Sequence, residues 1–349
     1  GQGWRFAAFG EDRIRLGDHT TLGLGTRLTF LPQHRRVFAE PRLELRHDRT
    51  EHALGAWSAR LAGGLYRQFV GQYNVSSVSP SALLPAIRFW LPVDSTVAPP
   101  KAYHAAGSLL LMPSARWTFR AETYYKYQQH LLVIDYPALW SDAAVQTVQS
   151  GFLRQGRGHA YGASTSAERT TERLRLHLRY EFSRALRQYA FQDSLRLIAA
   201  PWNEPHRVEL DVDWAPHARV IATARWRGGW GRTWGFRRAY YDYFGNDPTQ
   251  AARFDPDPTN DDRDEVIDFQ DPTAHALPAF AQLDLGAAYT HPLGPAALQI
   301  RLDVLNALDR ANVADRTLRQ IEQGAVTLLE PEERTLLART VSVALRLKW

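Results

Sequence analysis

Apolar and polar residues alternate along most of this 349-residue chain. In Arg173–Phe182, RLRLHLRYEF, every second residue is leucine or aromatic, and the residues between them are charged or histidine. His206–Trp214 and Ala297–Asn306 show the same period. Because successive side chains of a β-strand point to opposite faces, the pattern predicts strands with one apolar and one polar face. Helical periodicity is nearly absent. Only Ile321–Leu337 shows it weakly, which predicts a short surface helix there.

Thirteen segments of the chain fit this strand pattern, which predicts an all-β, antiparallel fold. Most have about ten residues, enough to cross a bilayer at the usual strand tilt of roughly 45°. The predicted strands are Trp4–Arg15, Thr20–Phe30, Val37–His47, Ala53–Phe69, Ala102–Leu111, Arg116–Tyr127, His159–Glu168, Arg173–Phe182, His206–Trp214, Arg219–Trp230, Phe280–Thr290, Ala296–Asn306 and Arg339–Trp349.

The connections between these strands alternate between short and long. The short ones are 16–19, 48–52, 112–115, 169–172, 215–218 and 291–295, and the long ones are 31–36, 70–101, 128–158, 183–205, 231–279 and 307–338. An up-and-down transmembrane β-barrel has such tight turns on its periplasmic side and large loops outside. A soluble sandwich also alternates apolar and polar residues and stays an alternative. A propeller would need a repeat of roughly 40–45 residues, which we do not find.

Charge indicates which face of each strand meets lipid. An arginine on the lipid face costs about 2–4 kcal/mol at the bilayer midplane, so the leucines of Arg173–Phe182 are predicted to face lipid. The arginines would then face the lumen. The predicted lumen-facing arginines are Arg173, Arg175, Arg179, Arg225, Arg227 and Arg301. Tryptophans near strand ends, such as Trp214 and Trp230, suit the interfacial aromatic belts of a membrane protein.

The last predicted strand ends on Trp349, with Val341, Val343, Leu345 and Leu347 on its lipid face. Bacterial single-chain barrels normally have an even number of strands. Thirteen strands, the last of which ends in the periplasm, do not close such a barrel. We therefore expect residues 1–349 to be the C-terminal part of a barrel domain, preceded by an odd number of strands.

Composition narrows the classes of function. No apolar run approaches 18 residues, so no transmembrane helix is predicted, and the chain has no cysteine for disulfides or thiolate metal sites. The net charge of +5 is spread along the chain, which argues against a nucleic-acid partner. The sequence has no GxSxG, HExxH, Walker or GxGxxG motif. We therefore expect neither an enzyme nor a bound cofactor.

Several stretches together resemble the C-terminal part of TonB-dependent outer-membrane receptors. They are HTTLGLGTRLTF (His19–Phe30), AEPRLELR (Ala39–Arg46), FRAETYYKYQQHLLV (Phe119–Val133), PWNEPHRVELDVDW (Pro201–Trp214), LPAFAQLDLGAAY (Leu277–Tyr289) and LQIRLDVLNALDRANV (Leu298–Val313). They occur in the order of that family's strands, and the terminal aromatic Trp349 fits as well. None of the motifs indicates a ligand.

The resemblance implies a barrel of about 22 strands with a plugged lumen, of which this chain supplies the last thirteen. It implies location in the outer membrane of a Gram-negative bacterium and energy-coupled import of a siderophore, vitamin, glycan or peptide. The implied partners are outer-membrane lipid, a luminal plug domain, the TonB complex and the barrel assembly machinery, which reads Trp349. The plug domain and the TonB box are absent from this sequence. A lipoprotein that caps the barrel is a further possible partner, which the sequence does not decide. A passive porin or a structural barrel is the alternative.

Three groups of residues are candidates for sites. The luminal arginines would pair with an acidic plug and with neighbours such as Glu122, Glu209, Asp211 and Asp303, or else attract an anionic ligand; we favour pairing because the lumen is mostly filled in this family. Loop aromatics would stack on a ligand or pack the loops: Trp202, Trp234, Phe236, Tyr240, Tyr241 and Tyr243. Carboxylates of one loop would either bind calcium or be solvated, and we favour solvation. They are Asp255, Asp257, Asp261, Asp262 and Asp264.

Overall fold

A computed structural model describes residues 4–74, 88–134, 149–189, 198–199, 203–232, 276–323 and 326–349. The strands are β1 (Phe6–Arg15), β2 (Thr20–Leu31), β3 (Arg36–Arg49), β4 (Ala56–Arg67), β5 (Val70–Asn74), β6 (Arg88–Pro92), β7 (Lys101–Ser114), β8 (Trp117–Ile134), β9 (Leu153–Thr170), β10 (Leu174–Tyr189), β11 (Ile198–Ala199), β12 (His206–His217), β13 (Val220–Trp230), β14 (Phe280–Leu293), β15 (Ala296–Leu305), β16 (Val313–Gln323), β17 (Val326–Thr335) and β18 (Thr340–Lys348). A four-residue helix, α1, covers Gln149–Phe152.

Thirteen of these strands form one antiparallel sheet in chain order, β1-β2-β3-β4-β7-β8-β9-β10-β12-β13-β14-β15-β18, and β11 pairs with β10. Each of the thirteen corresponds to a predicted strand, so the predicted all-β, antiparallel fold is confirmed. Three strands exceed their predicted lengths by six residues or more: β8 and β9 have 18 residues each and β10 has 16. They continue past the span of a bilayer towards the long loops.

The register sorts the side chains of all thirteen strands onto two faces. Between β10 and β12, Leu178 lies opposite Leu210 and Arg179 opposite Glu209. Between β15 and β18, Leu302 lies opposite Val343. Apolar side chains of neighbouring strands therefore share one face, which we call the apolar face, and charged ones share the polar face. Leu345 on the apolar face is 69% exposed, a costly arrangement in water and a favourable one against lipid.

Aromatic rings mark both ends of the apolar face. On the long-loop side, the His206 ring lies 5.3 Å from Phe182 and stacks at 5.0 Å on Trp230. On the short-turn side, His47 stacks on Trp57 at 5.0 Å. Amphipathic rings prefer the two membrane–water interfaces, so the apolar band between them has the position of a bilayer core.

Tight turns join the strands on the short-turn side, and one of them requires glycine. Gly55 precedes β4 with a φ of +85°, and a Cβ there would collide with the backbone of Met112 and Pro113 on β7. On the other side, the connection between β2 and β3 is shorter than predicted. A 3-10 turn at Pro32–His34 is closed by Arg35 in the left-handed region, with a φ of 51°.

The predicted helix within Ile321–Leu337 is wrong. This segment belongs to an antiparallel hairpin of β16 and β17, in which Gln323 lies opposite Val326. The physical reason is Pro331, because proline in a helix interior removes a hydrogen bond and clashes, at a cost of about 3 kcal/mol. A second hairpin, β5–β6, also lies outside the main sheet. Among the residues described, no helix is long and apolar enough to cross a bilayer.

Candidate functional site: the polar face of the sheet

A cavity of about 570 Å³ lies on the polar face over β4, β7, β8, β9 and β10. The residues that line it come from five adjacent strands. Its floor consists of small side chains such as Ala62, Ala106 and Ser164. Ionisable side chains of both signs line it: Arg60, His104, Glu122, Lys126, Arg179 and Glu181. Its volume is in the range of small-molecule sites, and its mixed charge suits a polar partner surface.

One close contact shows how the floor is built. The Tyr124 ring lies over Gly162 of the neighbouring strand β9, where an added Cβ would come within 2.8 Å of the ring and 2.6 Å of the Phe182 carbonyl oxygen. Real Cβ atoms do not approach so closely. The absence of a side chain at Gly162 therefore leaves the space that the Tyr124 ring occupies where it lines the cavity.

Charged groups of the polar face form ion pairs along and between strands. Arg175 pairs with Glu168 of β9 at 3.0 Å, and Arg227 pairs with Asp284 of β14 at 2.8 Å. Within β15, the Arg301 Nε lies 2.7 Å from Asp303. Each exposed pair contributes only about 0–1 kcal/mol. Together they compensate many, though not all, of the charges on this face: Lys126 lines the cavity and has no acidic partner among the described residues.

Five of the six predicted luminal arginines lie on the polar face, each near a carboxylate of this chain. The pairs are Arg175–Glu168, Arg179–Glu181, Arg225–Asp211, Arg227–Asp284 and Arg301–Asp303. Arg173 instead lies in the turn before β10, where its carbonyl accepts a hydrogen bond from the Ala215 N–H. That the polar face lines a lumen and meets a plug stays a prediction.

Sequence reasoning named only some of the acidic partners. Asp211 and Asp303 were expected to pair with arginines, and they do. Glu122 accepts from the Ser164 hydroxyl at 3.5 Å, and Glu209 pairs with Arg207 at 2.7 Å. Glu168, Glu181 and Asp284 were missed, although Glu181 lies two residues from Arg179 and alternation alone would place it on the same face. The partners on other strands follow from register, which the sequence does not give.

Of the remaining candidates, only Trp349 lies within the described residues. Outside them lie the loop aromatics Trp202, Trp234, Phe236, Tyr240, Tyr241 and Tyr243 and the calcium candidates Asp255, Asp257, Asp261, Asp262 and Asp264. Trp349 follows β18 and is 95% exposed. Within the described part of the chain, no three His, Asp or Glu side chains are grouped to hold a metal ion.

Neither protein-family models nor curated protein sequences match this chain. Solved structures do match. The ferric yersiniabactin uptake receptor FyuA from Yersinia pestis aligns with a TM-score of 0.57 and 12% identity, over 97% of this chain and 44% of its own. The ferric preacinetobactin receptor BauA from Acinetobacter baumannii aligns with a TM-score of 0.56 and 13% identity, over 98% and 42%. The copper transporter OprC aligns at 0.53 and 13%, over 97% and 48%.

These likenesses cover nearly the whole chain but less than half the length of each relative. At such low identity they show a common fold, which agrees with the thirteen strands, the two faces and the aromatic belts. That fold is one of Gram-negative outer-membrane proteins, as predicted. The chain therefore has the fold of the barrel of TonB-dependent outer-membrane receptors, over about the length of a C-terminal barrel portion.

Proposed function

We propose that this chain forms part of an outer-membrane receptor that binds a nutrient outside the cell and imports it by energy-coupled transport. One observation carries the proposal: a sheet with a continuous apolar face and a polar face rich in ion pairs aligns along 97–98% of its length with receptors for ferric ligands. Two of those proteins are receptors for ferric chelates and one transports copper. A metal chelate is therefore the first ligand to test, ahead of a vitamin, glycan or peptide.

The polar face supports a role for a plug domain. Small residues such as Ala62 and Ala106 leave room above the sheet, and pairs such as Arg227–Asp284 are already neutral. A folded domain that covers this surface would leave these pairs intact and could supply acidic partners for the remaining cations, such as Lys126. Coupling to the TonB complex would run through that plug, lipid would cover the apolar face, and the barrel assembly machinery would recognise Trp349.

A growth and uptake assay tests the proposal. Cells that lack the intact protein should lose uptake of one labelled ferric chelate under iron limitation, and restoring the gene should restore it. Uptake should also stop when TonB is inactivated. Uptake that persists without TonB would instead support a passive pore, and normal uptake of every chelate in the deletion strain would contradict an iron receptor.

A further inference from the structure

Strands β3 and β4 separate on the long-loop side of the sheet and leave a notch. Their pairing ends at Arg42 opposite Gly64, whereas β4 continues along β7 until Arg67 lies opposite Lys101. The Glu40 carboxylate fills part of the gap by accepting the Arg67 backbone N–H at 2.7 Å. The opening therefore lies between the β2–β3 turn and the ends of β4 and β7.

A segment of the β6–β7 connection closes this notch from above. The His34 Nε2 donates to the Val93 carbonyl at 3.2 Å, and the Val93 N–H donates to the Phe69 carbonyl at 2.9 Å. Beneath it, Leu31, Phe38 and Phe69 form a small buried core. A cavity of about 560 Å³ remains between them.

The lining of this cavity is cationic. The basic residues Arg36, Arg67 and Lys101 line it, together with His34, His130, Ser95 and Thr96, and no acidic residue lines it among those described. The Lys101 ammonium also lies 5.5 Å from the centre of the Tyr103 ring. Coulomb repulsion makes such a cluster unfavourable unless water, salt or a ligand compensates it. The cavity therefore differs from the polar face below it, where arginines pair with acids.

No described carboxylate pairs with these three cations. The buried Glu40 is engaged with the Arg67 backbone. Asp94 of the nearby loop accepts hydrogen bonds from Thr96 at 2.8 Å and from the Gln149 N–H at 2.9 Å. Among the described residues, the Arg67 Nε is buried without a hydrogen-bond partner, although its guanidinium lies over the Phe38 ring. No described carboxylate therefore compensates the charge of Arg67, and an anion in the cavity would do so.

The other walls of the cavity are apolar. They are formed by Val37, Phe38, Val97 and Pro99. Inorganic phosphate alone would leave most of this space unfilled. We propose that the notch binds a small organic anion that carries at least two carboxylate or phosphate groups on an apolar body. Such a molecule would satisfy the guanidinium groups through charge-assisted hydrogen bonds and cover the apolar wall. Its identification as the imported nutrient rests on the proposed function, whereas its binding does not.

Titration calorimetry on the detergent-solubilised protein tests the site, with trimesate, the tricarboxylate of benzene, as the probe. Trimesate should bind, and its neutral triamide of the same shape should give no heat. Arg67→Gln combined with Lys101→Gln should weaken binding about tenfold or more, since each change removes a charge-assisted hydrogen bond. Heat-dependent gel mobility shows whether the double variant has folded, so that a loss of binding is not mistaken for a loss of folding.

The chain offers a matched control in two adjacent arginines. Arg36 lines the cavity and Arg35 does not, so Arg36→Gln should weaken trimesate binding while Arg35→Gln leaves it unchanged. Equal losses in both variants, or no heat from trimesate with folded protein, would overturn the site.

Titration in vesicles that contain lipid A separates two sources of the anion. Heat of trimesate binding that persists there indicates a dissolved ligand, and heat that disappears indicates that a phosphorylated lipid headgroup occupies the notch. Trimesate binding by the protein together with normal uptake of every chelate in the deletion strain would count against the proposed function alone.

Discussion

The side chains of Arg227 and Asp284 join β13 to β14 through an ion pair of 2.8 Å, and Asp284 also accepts the backbone N–H of Asn306 at 2.9 Å. Its side chain is only 15% exposed. One carboxylate thus ties two strands to the end of β15. The Arg227–Asp284 pair thus differs from the other ion pairs of the polar face, whose carboxylates are more exposed.

Replacing this carboxylate should destabilise the sheet. Asp284→Asn weakens both interactions and is expected to lower the free energy of unfolding by about 1–3 kcal/mol. Denaturant titration of the protein folded in bilayers measures the change. Asp303→Asn is the matched control, because the Arg301–Asp303 pair is more exposed on its arginine side and lies within one strand; it should cost about 0–1 kcal/mol. Equal costs would show that the link to Asn306 contributes nothing.

The contact of Tyr124 with Gly162 predicts a steric effect. Gly162→Ala should lower the free energy of unfolding by about 1–3 kcal/mol, since the new methyl group must displace the ring or the β10 backbone. Gly10→Ala serves as the control, because a Cβ there meets nothing within 4 Å. Denaturant unfolding of both variants decides the point, and a Gly162→Ala variant as stable as Gly10→Ala would contradict the packing.

The assignment of faces predicts opposite outcomes within β18. Leu345→Arg places a cation on the apolar face and should cost about 2–4 kcal/mol if that face meets the bilayer midplane. Ser342→Arg places the same side chain on the polar face, opposite Asp303, and should have little effect. The folded fraction in bilayers of defined thickness, read from heat-dependent gel mobility, compares the two. A larger loss in Ser342→Arg would reverse the assignment of the faces.

The loop that covers the notch should loosen in acid. Burial alone would raise the pKa of Asp94, but hydrogen bonds from Thr96 and Gln149 outweigh it and hold the pKa below its ordinary value of 3.8. The stabilisation is therefore present above that ordinary value and is lost as the pH falls through the lowered pKa of the folded state. Amide exchange of Thr96 and Gln149 should accelerate, relative to other amides, as the pH falls below about 4. Asp94→Asn should show this fast exchange at neutral pH without further change in acid.

The hairpins outside the sheet show where sequence reasoning failed. Ile321–Leu337 was predicted as a helix from a weak periodicity, while Pro331 in the same stretch opposed it. The β5–β6 hairpin was not predicted, because its strands have five residues each and a short segment carries little periodic signal.

The sequence by itself determined the thirteen main strands and the two faces of the sheet. A period of two repeated over about ten residues has only one regular backbone solution, and the cost of arginine in lipid orients it. Tertiary structure decided the rest. Which carboxylate meets Arg227 depends on the register of β13 and β14, and the cationic notch of Arg36, Arg67 and Lys101 depends on where β3 and β4 separate. Both are relations between strands, and no single strand's sequence contains them.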